Sequence, residues 1–260
     1  MSGLKESGVA ARRIVYRRPV ALLLIVAAIL FAISSLLQWN ASMQRWVTFS
    51  NSLSPHDLSV EDHVYDYYLP HDEWVPIGSA AELLGVGLLL VALGFVLMAV
   101  AALLISDPTK DRLRAVTAVS LGFELLLVII TAGSFTLMGC HALVSGLHGT
   151  DSGLLDSGVL AQLLVYLGLA APVILAVRWR KRLLAMSLAC AFLLGSTIFG
   201  YFVSAYMIAP IISGMSHDTA RWTETVIALS TCAAAIAAGF GAMRVLRQNK
   251  HSKQLEPGPS

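Results

Sequence analysis

Six long apolar runs separated by polar connections set the pattern of this chain. They lie near residues 19–39, 79–105, 115–143, 158–178, 183–209 and 223–243. A helix crossing a bilayer needs roughly 20 mostly apolar residues, and each run meets that length. The pattern predicts an all-α integral membrane protein, a bundle of six transmembrane helices. Residues 1–18 read as a basic N-terminal segment, 19–243 as the membrane domain and 244–260 as a disordered tail. The first run follows ARRIVYRR, but its apolar stretch from Val20 to Leu37 exceeds the roughly 7–15 residues of a secretory signal core. No A-x-A site follows it, so it reads as a retained anchor.

Composition agrees. The 260 residues are 57% apolar and 13% charged, with a mean hydropathy of +0.73, whereas a soluble domain carries about 25% charged residues. Lipid is therefore the expected surrounding of much of the surface. Cys140, Cys190 and Cys232 each stand alone inside apolar runs, with no CxxC. They read as small buried hydrophobes, not a disulfide framework. No compact basic domain suggests nucleic-acid binding.

Charge then orients the bundle. Sixteen of the eighteen Lys and Arg residues fall before span 1, between spans 2 and 3, between spans 4 and 5, or after span 6. The positive-inside rule makes that side cytoplasmic, together with both termini, as in a plasma (inner) membrane protein. Only Arg45 and Arg221 lie opposite, among ten carboxylates.

Several polar residues have local explanations. Ser79-Ala-Ala-Glu82 matches a capping box for span 2, and Asp107-Pro108 an N-cap with a first-turn proline. Asp156 and Ser157 suit the start of span 4, and Thr223 and Glu224 that of span 6. Pro172 should kink span 4. Ser196, Gly200 and Ser204 in span 5, and Ser230, Ala234 and Ala238 in span 6, repeat every four residues. Such small-residue faces predict close packing of these two spans.

Glu124 is the sharpest intramembrane residue. It lies about 14 Å along span 3, and Thr117, Ser120, Thr131 and His141 share its helical face. A carboxyl group within a span marks either a functional site or a polar pairing inside the bundle. No Lys or Arg is expected at matching depth in another span, which argues against an ion pair within the chain.

The connection 40–78 is the longest, and residues 56–74 within it hold six carboxylates and three histidines without a Lys or Arg. His56, His63 and His71 are metal-ligand types, but spacings of seven and eight match no compact metal motif. Tyr65, Tyr67, Tyr68 and Trp74, with Asp66, Asp72 and Glu73, are residue types that anchor protein interfaces. No GxSG, HExxH or P-loop motif points to an enzyme, and no cofactor is implied.

The expected function is that of a non-enzymatic accessory or assembly subunit of a membrane complex, docking a membrane-protein partner through loop 40–78. The alternative is a small transporter or permease subunit with Glu124 as a proton- or cation-coupling site. A weaker alternative is divalent-metal binding through the loop histidines.

Overall fold

The computed structural model describes residues 3–49, 64–71, 73–105, 114–214 and 220–254. Among them every regular element is helical. In chain order these are α1 (Gly3–Met43), continued by wider turns over Gln44–Phe49, then α2 (Ala80–Ile105), α3 (Arg114–His148), α4 (Gly158–Trp179), α5 (Leu184–Leu193), α6 (Ile198–Val203), α7 (Ala209–Ser213) and α8 (Thr223–Gln254). Among the described residues five unbroken stretches are long and apolar enough to cross a membrane. A bent pair, Leu184–Ser196 and Ile198–Ser213, makes the sixth crossing if taken as one span. The chain is thus an all-α membrane bundle.

The helices close a ring in chain order. Each of α1 to α4 packs on the next, α5 packs on α8, and α8 returns to α1. Leu24, Phe31, Leu88, Phe95, Phe135 and Leu175 are fully buried inside it. Leu22, Ile29, Val119, Ile129, Val159 and Val177 point outward with more than half of their surface exposed, an apolar exterior suited to lipid. Glycines bring the backbones of α2 and α3 together. A Cβ on Gly85 would stand 2.5 Å from the Leu143 nitrogen, and one on Gly139 2.9 Å from the Gly85 carbonyl oxygen. Only hydrogen at these positions lets the two backbones touch.

Two expectations need correction. Residues 244–254 are no loose tail, because α8 runs unbroken to Gln254; nothing in that stretch is a Gly or Pro. The second concerns span 5, which is not one helix. The basic N-terminal segment is part of α1, which begins at Gly3.

Span 5 bends by 69° at Thr197. Gly195-Ser196-Thr197 is a run of poor helix formers whose hydroxyls compete for backbone groups. Leu194–Ser196 tightens into a 3-10 turn. Thr197 then turns extended (φ −89°, ψ 165°), and its hydroxyl accepts the Gly200 N–H at 3.1 Å, capping α6. A Cβ on Gly200 would overlap the Leu194 carbonyl oxygen. Ser196, Gly200 and Ser204 therefore do not form one helical face. Spans 5 and 6 are still neighbours: Gly195 sits against Ser230, and the Ser196 and Thr231 hydroxyls meet at 2.8 Å. By contrast, α4 runs through Pro172 as a single helix.

Candidate functional site

A buried polar network fills the end of the bundle that carries loop 40–78. Its centre is Arg45, placed just beyond α1 and 2% exposed. Its Nη1 donates to Asp66 Oδ1 at 2.5 Å and to Glu224 Oε1 at 2.7 Å. The indole N–H of Trp46 donates to the other Glu224 oxygen at 2.5 Å, and the Tyr201 hydroxyl to the other Asp66 oxygen at 2.6 Å. Arg45 also lies over the Trp46 ring, 4.6 Å from its centroid. One loop segment, the end of α1, the start of α8 and the helix after the break are thereby tied together. At such burial, paired charges are retained only with this density of hydrogen bonds.

Loop 40–78 also reaches into the break itself. The Tyr68 hydroxyl donates to the Ser196 carbonyl at 2.7 Å, and the ring stacks on Tyr201 at 4.7 Å. In an apolar interior a helix break frees backbone carbonyls that other protein groups must satisfy, and Tyr68 does this for Ser196. From Ser196 the network continues inward. Its hydroxyl meets Thr231, Thr231 approaches Gln38 Oε1 at 3.4 Å, Gln38 donates to Ser34 at 2.8 Å, and Ser34 donates to the Gly87 carbonyl at 2.7 Å. This seam runs from the break to α2. Tyr67 lies beside the network, fully buried, with a hydroxyl that has no hydrogen-bond partner among the described residues. Burial first, and then the Glu224 charge, push its phenol well above its ordinary value.

His141, at the same end, clasps two connections. Nε2 lies 3.1 Å from the Pro70 carbonyl, which can only accept, so that nitrogen carries a proton. Nδ1 lies 2.7 Å from the Ser152 hydroxyl, with Asp151 at 3.7 Å.

The opposite, basic end is closed by a second cluster. Arg182 grips Glu124 with two parallel bonds of 2.5 and 2.7 Å, and the Trp179 indole donates at 2.8 Å. Arg178 stands 3.6 Å from the same carboxylate and bonds Ser120 Oγ at 2.7 Å. The expectation of no ion pair for Glu124 is therefore wrong. Depth along its own helix misled: α3 begins ten residues earlier, whereas the turn after α4 ends level with Glu124. Arg182 also approaches the Ala102 carbonyl near the end of α2, at 3.4 Å. Glu124 is thus clamped by arginines at the basic end of the bundle. Glu124→Gln removes the charge but leaves Arg178 and Arg182, 30% and 24% exposed, able to turn to water. The expected cost is about 1–2 kcal/mol, read as a lower thermal midpoint in detergent; an unchanged midpoint would contradict the clamp.

The stripe on α3 divides accordingly. Ser120 and Glu124 join the basic-end cluster, and His141 joins the loop end. Thr131 returns its hydroxyl to the Leu127 carbonyl at 2.9 Å, with Leu127, Val128, Phe135 and Met138 buried around it. The Thr117 side chain lies outside the described residues.

The proposed docking residues are also redistributed. Asp66, Tyr67, Tyr68 and Trp74 are buried in the chain and cannot anchor a partner in this conformation. Tyr65 is half-buried, edge-on to Phe49 at 5.0 Å, and Glu73 is exposed at φ 70°. Asp72, His56 and His63 lie outside the described residues, and His71 is exposed. Among the described residues no three His, Cys, Asp or Glu side chains converge as a metal site.

The capping expectations resolve separately. Ser157 caps α4 by accepting the Leu160 N–H. Ser79 meets Gln44 through both its N–H and its hydroxyl. Glu224 is an ion-pair partner, and Asp107-Pro108 lies outside the described residues. Sequence reasoning missed Arg45, Trp46, Tyr201, Glu224 and Arg182 as network members. The available signal was Arg45 itself, a cation on the acidic side directly after a span.

No protein-family model, curated protein or solved structure matches this chain.

Proposed function

We propose that this protein is a small, non-enzymatic membrane transporter held closed at both ends, its passage running between α1, α8 and the broken fifth crossing. The break at Gly195-Ser196-Thr197 carries this reading. Discontinuous helices are costly in lipid and recur where a solute path needs polar groups at depth. Here the break adjoins the Ser34–Gln38–Thr231–Ser196 seam. The Arg45 cluster with its loop roof closes one end, and the Glu124–Arg182 clamp closes the other. By the positive-inside rule the roof is extracytoplasmic and both termini are cytoplasmic.

The seam contains hydroxyls and one amide but no fixed charge, which suits protons or small hydrogen-bonding solutes. The test is flux into vesicles containing the purified protein, with a trapped pH dye for protons and light scattering for glycerol and urea. Flux above protein-free vesicles, lost in Gln38→Leu with Thr231→Val, is expected. No flux of any probe would sink the proposal.

A second reading is the accessory subunit. It is favoured by the exposed strip His71, Glu73, Val75 and Pro76, held on a roof pinned by buried ion pairs. A stoichiometric membrane-protein partner that survives mild detergent and is lost when this strip is substituted would support it.

A further inference from the structure

We infer that the basic end of the bundle carries a binding site for the headgroup of an anionic phospholipid, formed where α1, the α4–α5 turn and α8 meet. The meeting point is Gly241. A Cβ there would lie 3.1 Å from Ala185 Cβ, 3.3 Å from Leu183 Cδ2 and 3.6 Å from Leu24 Cδ1. The segments that meet here carry five exposed cations, Arg18, Arg180, Lys181, Arg244 and Arg247. Arg18 precedes Leu24 by six residues and Arg247 follows Gly241 by six. On antiparallel helices both therefore sit about 9 Å beyond the contact, at one level. Arg180 and Lys181 lie three and two residues before Leu183.

None of the five has an ion-pair partner among the described residues; the nearby Glu124 is buried and taken by Arg182 and Arg178. The adjoining surface is apolar: Leu22, Leu184, Phe240 and Met243 are 61%, 46%, 61% and 44% exposed. Cations beside an outward apolar belt match a phosphate joined to acyl chains. A free phosphate or a nucleic acid would leave the belt unused. The site requires neither the transport nor the accessory reading.

The test uses the full-length protein in neutral detergent, with phosphatidylglycerol, phosphatidylcholine or inorganic phosphate added. Native mass spectrometry counts retained lipid, and thermal unfolding reads stabilisation. Phosphatidylglycerol should be retained and raise the midpoint, and phosphatidylcholine should do neither. Arg180→Gln, Lys181→Gln, Arg244→Gln and Arg247→Gln should each weaken retention roughly fivefold while leaving the lipid-free midpoint unchanged. Equal retention of both lipids, undiminished retention in the combined variant, or equal stabilisation by inorganic phosphate would overturn the site.

Discussion

Arg45→Met is expected to be the most damaging single substitution at the loop end, costing about 3–5 kcal/mol. Asp66 and Glu224 are 4% and 2% exposed, so neither can turn to water once the guanidinium is gone. The variant leaves buried carboxylates facing each other and the unpartnered Tyr67 hydroxyl. A large fall in the thermal midpoint of the purified protein, with protease sensitivity appearing first in residues 64–78, is the expected result. Adding Asp66→Asn and Glu224→Gln should recover part of the loss, because it removes the stranded charge. Arg45→Lys should fall between, since the ammonium keeps the charge but its flexible stem does not hold the fixed donor directions of the guanidinium. A midpoint within one degree of the parent for Arg45→Met would show that the cluster does not hold the roof.

Gly200→Ala is the second large effect, and it acts on the break. The added methyl would overlap the Leu194 carbonyl oxygen and crowd the Gly195 backbone, with Cβ 2.6 Å from Gly195 Cα. These are backbone atoms, so no side-chain rotation relieves the clash. A cost of about 1–3 kcal/mol follows from overpacking alone, and the 69° bend must change to accommodate it. Under the transport proposal, flux should fall much further than in Gly133→Ala, where nothing lies within 4 Å of an added Cβ. Equal flux and midpoints in the two variants would separate the break from both stability and transport.

The fold was legible because length and hydropathy constrain a membrane crossing strongly, and the runs near 79–105 and 158–178 end close to α2 and α4. The break was present in the sequence as Gly195-Ser196-Thr197, but small residues also line unbroken packed helices, and spacing alone favoured that reading. The ion pair of Glu124 was missed because depth counted along α3 alone ignores that the α4–α5 turn brings Arg182 to its level. The loop aromatics posed a different ambiguity. A tyrosine with an apolar ring and a polar tip serves a partner or its own chain equally well. Only the three-dimensional position of Ser196 and Tyr201 decides for Tyr68. Arg45 finds its carboxylates 21 and 179 residues away, separations that no local pattern reveals.

The ring of helices has a consequence for how the protein is made. The polar side chains along α1 are completed largely by the last helix. Ser35 donates to the Ala228 carbonyl, Ser42 meets Thr225, Gln38 meets Thr231 and Arg45 meets Glu224. Until α8 leaves the ribosome, the first helix waits in the bilayer with its polar edge uncovered. Synthesis and structure therefore finish together: a chain interrupted before Thr223 has an open ring and an arginine missing one of its carboxylates.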